Sequence, residues 1–289
     1  MCSVSIKQAL PWWAKIVAKI ILSRLPFGYR FWQRLNLFKL GGMEEPEYAR
    51  EVFAVHFDRV DFPRKAGGFT ALELGPGDTL FSAMIAYAHG AAQCYLIDVG
   101  RYARDDLGPY RAMADVLHKC GLTAPDINNA ENLTQLLNIC NAQYLTDGLH
   151  SLKTLPADSV DFIWSQAVLE HIRLNDFHDM VDEMHRVLRP GGVCSHRVDL
   201  MDHLSDALNN LRFSTQLWES DFIARSGFYT NRIRYTEMLE HFEAVGFDIE
   251  VAGVDRWGTT PTPRAKLRKE FCKLPDDELL ISGFDVILR

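Results

Sequence analysis

The chain has 289 residues, 47% of them hydrophobic, enough for a substantial core in one large domain or two small ones. Its 31 Lys and Arg against 38 Asp and Glu leave a net charge of −7, which argues against nucleic acid as the main partner because phosphate binding needs a basic surface. The six cysteines, at positions 2, 94, 120, 140, 194 and 272, form no C-x-x-C pair and read as reduced thiols of a soluble, cytoplasmic protein.

Residues 1–65 are expected to be helical and to stand apart from a main domain over 66–289. The charge of the first forty residues is one-sided: Lys7, Lys15, Lys19, Arg24, Arg30, Arg34 and Lys39 are basic and none is acidic. The apolar run 11–25 is interrupted by Lys15 and Lys19, lacks a small-residue cleavage site after it, and is too short to span a bilayer. Pro11 suits a first helical turn, and Pro26 and Gly28 end the pattern. At about 100° per residue, Lys15, Lys19 and Ser23 form one narrow strip while Trp13, Val17, Ile20, Ile21 and Leu25 cover the other side. Such a helix must bury a wide face, either as a lid on the domain or in the headgroup layer of an anionic membrane, where residues 1–40 would make peripheral contact.

From residue 69 the pattern changes to short apolar runs alternating with helical stretches. "FTALELG" (69–75), "AQCYLID" (92–98), "AQYLTD" (142–147), "VDFIWSQ" (160–166) and "GVCSHRV" (192–198) are predicted strands, with helices over 79–89, 109–119, 131–140 and 176–188. Alternation of this kind implies a doubly wound α/β fold, a mostly parallel sheet with helices on both faces. Residues 204–234 break the rhythm as an insertion rich in aromatic residues, Asn and Arg. The pattern then resumes with a helix (236–245), Gly246, a strand (247–254), a basic helical stretch from Arg264 and a last strand near 279–288.

The strongest motif is "LELGPGD" (72–78), in which a strand carries Glu73 two places before Gly75-x-Gly77 and a helix follows at once. Glycines there allow close backbone approach to a ligand at the carboxyl ends of the strands. A dinucleotide fingerprint would need a third glycine where Leu80 stands, which weakens a nicotinamide or flavin reading. Asp98 ends the second strand, where a carboxylate can accept hydrogen bonds from ribose hydroxyls.

Taken together with "SVDFIWSQAVLEHI" (159–172) and "RVLRPGGV" (186–193), these motifs make the chain resemble the class I S-adenosylmethionine-dependent methyltransferases over 69–200 and, more loosely, through "EHFEAVGFDIEVAGV". The resemblance implies a seven-stranded Rossmann-like fold and S-adenosyl-L-methionine as cofactor. It implies that Glu73 and the backbone at Gly75 and Gly77 hold the methionine end. Asp98 with Val99 would bind the ribose, Asp147 would lie near the adenine although it stands farther from Leu155 and Pro156 than the family pattern has it, and Ser165 and Gln166 would face the cofactor from the fourth strand. His171 in the "EH" pair either orients structure or takes part in the chemistry.

The acceptor half must come from the variable parts. Trp218, Phe228 and Tyr229 are expected to stack on a substrate, and Arg225, Asn231, Arg232 and Arg234 to meet hydroxyls or anions. A polar small molecule, a sugar or glycan precursor methylated on oxygen, fits this composition. "SHRVDLMDHL" (195–204) should open from the fifth strand into the same crevice, with His196 or His203 as proton acceptor and Asp199 orienting an imidazole or a hydroxyl. No metal is expected, since the spacing matches no strong ligand signature and Asp202 equally suits a helix cap. Two other functions use the same residues: another transferase on this fold, for example of an aminopropyl group, and a cofactor-binding module without chemistry.

Overall fold

The computed structural model describes residues 11–24, 42–63 and 67–289. The expected breaks at Pro26 and Gly28, the side chain of Ser23, the basic residues Lys7, Arg30, Arg34 and Lys39, and the domain boundary at 65–66 lie outside the described residues or atoms.

Seven strands form a single sheet: β1 (Phe69–Leu74), β2 (Ala91–Ile97), β3 (Ala142–Leu145), β4 (Val160–Gln166), β5 (Leu188–Asp199), β6 (Ile249–Arg256) and β7 (Ile281–Leu288), in spatial order 3-2-1-4-5-7-6. The first five run parallel, and β7 lies antiparallel between β5 and β6. Every residue of β1 is buried, as expected of a central parallel strand covered on both faces. The expected doubly wound α/β architecture is the one observed.

One face of the sheet is covered by α2 (Pro46–Asp58), α3 (Phe81–Ala88), α4 (Gly108–Lys119) and α5 (Leu133–Ile139), which share a core with Ala71, Leu96, Phe162, Trp164 and Val193. The other is covered by α6 (Gly148–Lys153), α7 (Leu174–Val187) and a long helix over Tyr235–Val245, packed on Leu72, Ile163, Cys194 and Val286. Helix α2 packs into the sheet's core: Phe53 and Phe57 are buried there, Phe53 edge-on to Trp164. Helix α6 is an addition to the expected elements, and the basic helical stretch after Arg264 is one 3-10 turn (Arg264–Lys266) followed by a single helical turn (Lys269–Cys272).

Helix α1 (Trp12–Arg24) packs on the 204–234 insertion. Trp12, Ile16 and Ile20 join Leu204, Trp218 and Phe228, and the guanidinium of Arg212 lies over the Trp12 ring. The lysine strip points inward: Lys15 Nζ donates to the Leu204 carbonyl (2.7 Å) and Lys19 Nζ to that of His203 (3.2 Å). Trp13, Val17 and Ile21 are left on the outside, each more than half exposed. Among the described residues no helix is long and apolar enough to cross a membrane.

The insertion has little regular structure, and its backbone is satisfied by its own side chains. Arg234 is 3% exposed and donates to the carbonyls of Leu200 (2.9 Å), Glu278 (2.8 Å) and Ile281 (2.6 Å), tying the insertion to the ends of β5 and β7. Replacing it strands three buried acceptors. Arg234→Met is therefore expected to lower folding stability by about 3 kcal/mol or more, read as a shift of the urea midpoint.

Candidate functional site

The carboxyl ends of β1, β2 and β3 are joined through Asp98. Its backbone N–H donates to the Leu145 carbonyl (2.9 Å) and its carbonyl accepts from Gly148 N–H (2.8 Å). Its carboxylate accepts from the N–H groups of Gly77 (3.1 Å) and Val99 (2.8 Å), while Gly75 N–H donates to the Ile97 carbonyl (2.8 Å). Gly75 and Gly77 both have positive φ, +68° and +71°, which L side chains rarely adopt. A Cβ on Gly75 would lie 2.6 Å from a methyl of Val168, so the glycine turn is closed over by the loop after β4.

Two buried carboxyls line this turn. Burial pushes Asp98 up to about 6, against the opposing pull of its two amide partners, and pushes Glu73 up to about 8, where a hydrogen bond with Ser82 works the other way. Glu73 is 3% exposed and its Oε2 has no hydrogen-bond partner. An orphaned, buried carboxyl beside two glycines suits a ligand bearing a cationic amine, which would draw it into its charged form, and Asp98 keeps lone pairs for hydroxyls. These residues fit S-adenosylmethionine. Val99 is exposed at the crevice edge and Asp147 is exposed with no capping bond from its side chain.

Ser165 and Gln166 are engaged elsewhere. Ser165 Oγ hydrogen-bonds His196 Nδ1 (2.7 Å), and Gln166 Oε1 hydrogen-bonds His56 Nε2 (3.0 Å), whose Nδ1 meets Ser195 Oγ (2.8 Å). Ser165 and His196 share one face of the sheet, Gln166 and Ser195 the other. His196 is wholly buried, and burial holds it neutral down to about 3; His56 stays neutral down to about 4. His196 is thus a histidine of the sheet interior, hydrogen-bonded to Ser165. His56 went unnoticed in the sequence because it lies on α2, ahead of the recognised motifs.

The polar groups that do face one another come from two loops. The 3-10 turn Leu169–His171 carries Glu170 and His171, and the turn after β5 carries His203, its ring 4.7 Å from that of His171. His171 Nδ1 donates to the Tyr229 carbonyl (2.8 Å), which leaves Nε2 with the lone pair. Desolvation and the neighbouring His203 press His171 down to about 4, against the opposing pull of the Tyr229 carbonyl and Asp199. Burial, with Lys19 close by, lowers His203 as well. Glu170 is 2% exposed, its carboxyl meets no side chain, and burial raises it well above the usual range against the pull of the backbone N–H groups of Glu170 and Asp199. With Asp199, Asn210 and Thr230 it lines a narrow cleft, into which Asn210 also brings an unpartnered Oδ1. Asp202 is structural: its oxygens accept from the N–H groups of Leu204, Ser205 and Asn209.

The expected stacking platform is corrected. Trp218, Phe228 and Tyr229 are buried in the insertion's core, and Asn231 donates to the carbonyls of Leu169 (2.9 Å) and Ile172 (3.1 Å), fixing the turn that carries Glu170. Arg232 holds the Phe213 carbonyl (2.9 Å), and Arg225 pairs with Asp221 on the surface.

The sequence profile described as a methyltransferase domain matches residues 72–195. Solved structures similar in fold include an S-adenosylmethionine-dependent methyltransferase from Mesorhizobium loti (17% identity, 84% of this chain and 100% of that one, TM-score 0.46). A second is an S-adenosylmethionine-dependent methyltransferase from Archaeoglobus fulgidus (11% identity, 84% and 93%, TM-score 0.42). A third is a phosphoethanolamine N-methyltransferase from Haemonchus contortus (15% identity, 82% and 52%, TM-score 0.42). No curated protein sequence matches the chain.

The two interior histidines set an acid limit. Their folded pKa values, about 4 and about 3, lie below the unfolded value near 6.5, so the unfolded chain takes up protons first as pH falls. Their contribution is intact above about 6.5 and is lost toward 4. The urea midpoint should fall across that window, and His196→Gln, which cannot titrate, should flatten the fall relative to its own value at neutral pH.

Proposed function

We propose that the chain is a class I S-adenosylmethionine-dependent methyltransferase that methylates a hydroxyl of a polar small molecule, a sugar or glycan precursor, a reading supported by the methyltransferase-domain match over residues 72–195. The observation that carries this reading is the meeting of two half-sites at the carboxyl edge of the sheet. One is the glycine turn with Glu73 and Asp98; the other is the polar cleft of Glu170, Asp199 and Asn210, and Val168 links them by closing over Gly75 two residues ahead of Glu170.

In this reading Glu73 compensates the ammonium of the methionine end, Asp98 accepts from the ribose hydroxyls, and the Gly75–Gly77 backbone lets the ligand approach. The bound cofactor supplies an electrophilic methyl on a sulfonium, displaced in line to leave S-adenosylhomocysteine. The cleft has room for little more than a water molecule, so a hydroxylated acceptor would have to open it to reach Glu170, Asp199 and Asn210. His171, His203 and Asp199 are the groups beside it able to take the acceptor's proton. A narrow cleft with buried carboxylates favours a neutral or cationic small molecule over a nucleic acid.

Calorimetry with S-adenosylmethionine tests the cofactor half. Binding should be micromolar, and Asp98→Ala should weaken it about tenfold to a hundredfold, about 1–3 kcal/mol, by removing a charged acceptor. An unchanged dissociation constant would remove Asp98 from the site. Incubation with hydroxylated acceptors should yield S-adenosylhomocysteine; methylthioadenosine in its place would assign aminopropyl transfer.

We also propose that α1 rests on an anionic lipid surface. Support comes from the outward stripe of Trp13, Val17 and Ile21, set within forty residues that hold seven basic side chains and no acidic one. The full-length protein should float with phosphatidylserine vesicles at low salt and lose most of that binding in Trp13→Ser/Ile21→Ser. Flotation unaffected by the double variant, or absent altogether, would leave α1 as a lid alone.

A further inference from the structure

We propose that Glu170, His171 and His203 form a binding site for a divalent first-row transition cation, beside the cleft that Glu170 lines. One ligand atom from each residue lies within 4.8 Å of the other two, a spacing that small side-chain rotations would close onto an ion. The set is two imidazoles and one carboxylate, which suits zinc, manganese or iron and leaves positions free for substrate or water.

Proximity alone would carry little. Three further observations point to a ligand. Glu170 is 98% buried and its carboxyl is met by no side chain, only by the backbone N–H groups of Glu170 and Asp199, and His203 Nε2 is buried without a partner. An isolated carboxylate in that position is costly unless a positive group meets it. The His171 ring is held as a metal-bound histidine is: Nδ1–H donates to a backbone carbonyl, here that of Tyr229, which leaves the lone pair on Nε2. Both loops are also pinned from behind. Asn231 holds the Leu169–His171 turn through two carbonyls and donates its own N–H to the Glu170 carbonyl (2.7 Å), while Asp202 and Lys19 fix the backbone around His203. Lys19 brings positive charge close to the imidazoles; Glu170 and Asp199 offset it.

This revises the expectation of no metal. It rests on the proposed reading of the cleft as the acceptor site and deepens it: a cation there would bind the acceptor hydroxyl and stabilise its developing negative charge, leaving Asp199, not an imidazole, to take the proton.

The test uses the full-length protein, stripped with chelator and then freed of it, and titrated separately with manganese chloride and zinc sulfate. One equivalent of at least one ion should bind with micromolar or tighter affinity. Glu170→Gln and His203→Ala should each weaken it at least tenfold, while S-adenosylmethionine binding, measured on the same samples, stays within threefold of wild type. His178→Ala should keep the equivalent, since His178 with Asp182 is an exposed pair elsewhere on α7. If Glu170→Gln does not fold, the half-buried His203 decides. Absence of a stoichiometric ion in wild type, or its retention in the folded variants, overturns the proposal while cofactor binding leaves the methyltransferase reading standing. Cation binding without cofactor binding would have the opposite meaning.

Discussion

Asp98 is where three strands become one surface. Its main chain bonds to β3 and to the start of α6, its carboxylate to the glycine turn that follows β1 and to the backbone of its own strand end. Parallel strands have no tight hairpins to hold their ends together, so their carboxyl edge needs such a tie if a ligand is to meet a fixed arrangement of groups. Burial is the cost of that arrangement. The same exclusion of water that sharpens the site raises Asp98 and Glu73, and it leaves Glu73 with an acceptor atom no other residue satisfies.

The insertion solves a different difficulty. From residue 204 to 234 few carbonyls belong to a helix or strand, yet much of the stretch is buried, and a buried carbonyl without a donor is unfavourable. Arg232, Arg234, Asn231 and the Trp218 indole supply the donors, the last to the Thr230 carbonyl (2.7 Å). The abundance of Arg, Asn and aromatic residues, which from composition reads as a substrate surface, is here the internal scaffold of an irregular loop. What it presents to the crevice is the turn it braces.

The sheet was legible because its strands are short, apolar and bounded by Gly, Asn and Asp, and because central parallel strands show nearly continuous burial. Helix α6, only six residues long, had no period to reveal it. The glycine turn and Asp98 were legible because their chemistry is local to two strand ends. The pairing of His171 with His203 was not: the residues are 32 apart in sequence, and only the return of β5 beside β4 brings their loops together. His196 misled for a related reason. It was expected within the strand over 192–198, but nothing in the sequence showed that Ser165 of the neighbouring strand meets its ring in the sheet interior.

Helix α1 wears its lysines on the inside. Lys15 and Lys19 reach under it to the carbonyls of residues 204 and 203, one of which belongs to the histidine at the mouth of the cleft. The exposed Trp13–Val17–Ile21 stripe and the backbone that carries the His203 imidazole therefore lie on opposite sides of one helix, tied together by two ammonium groups.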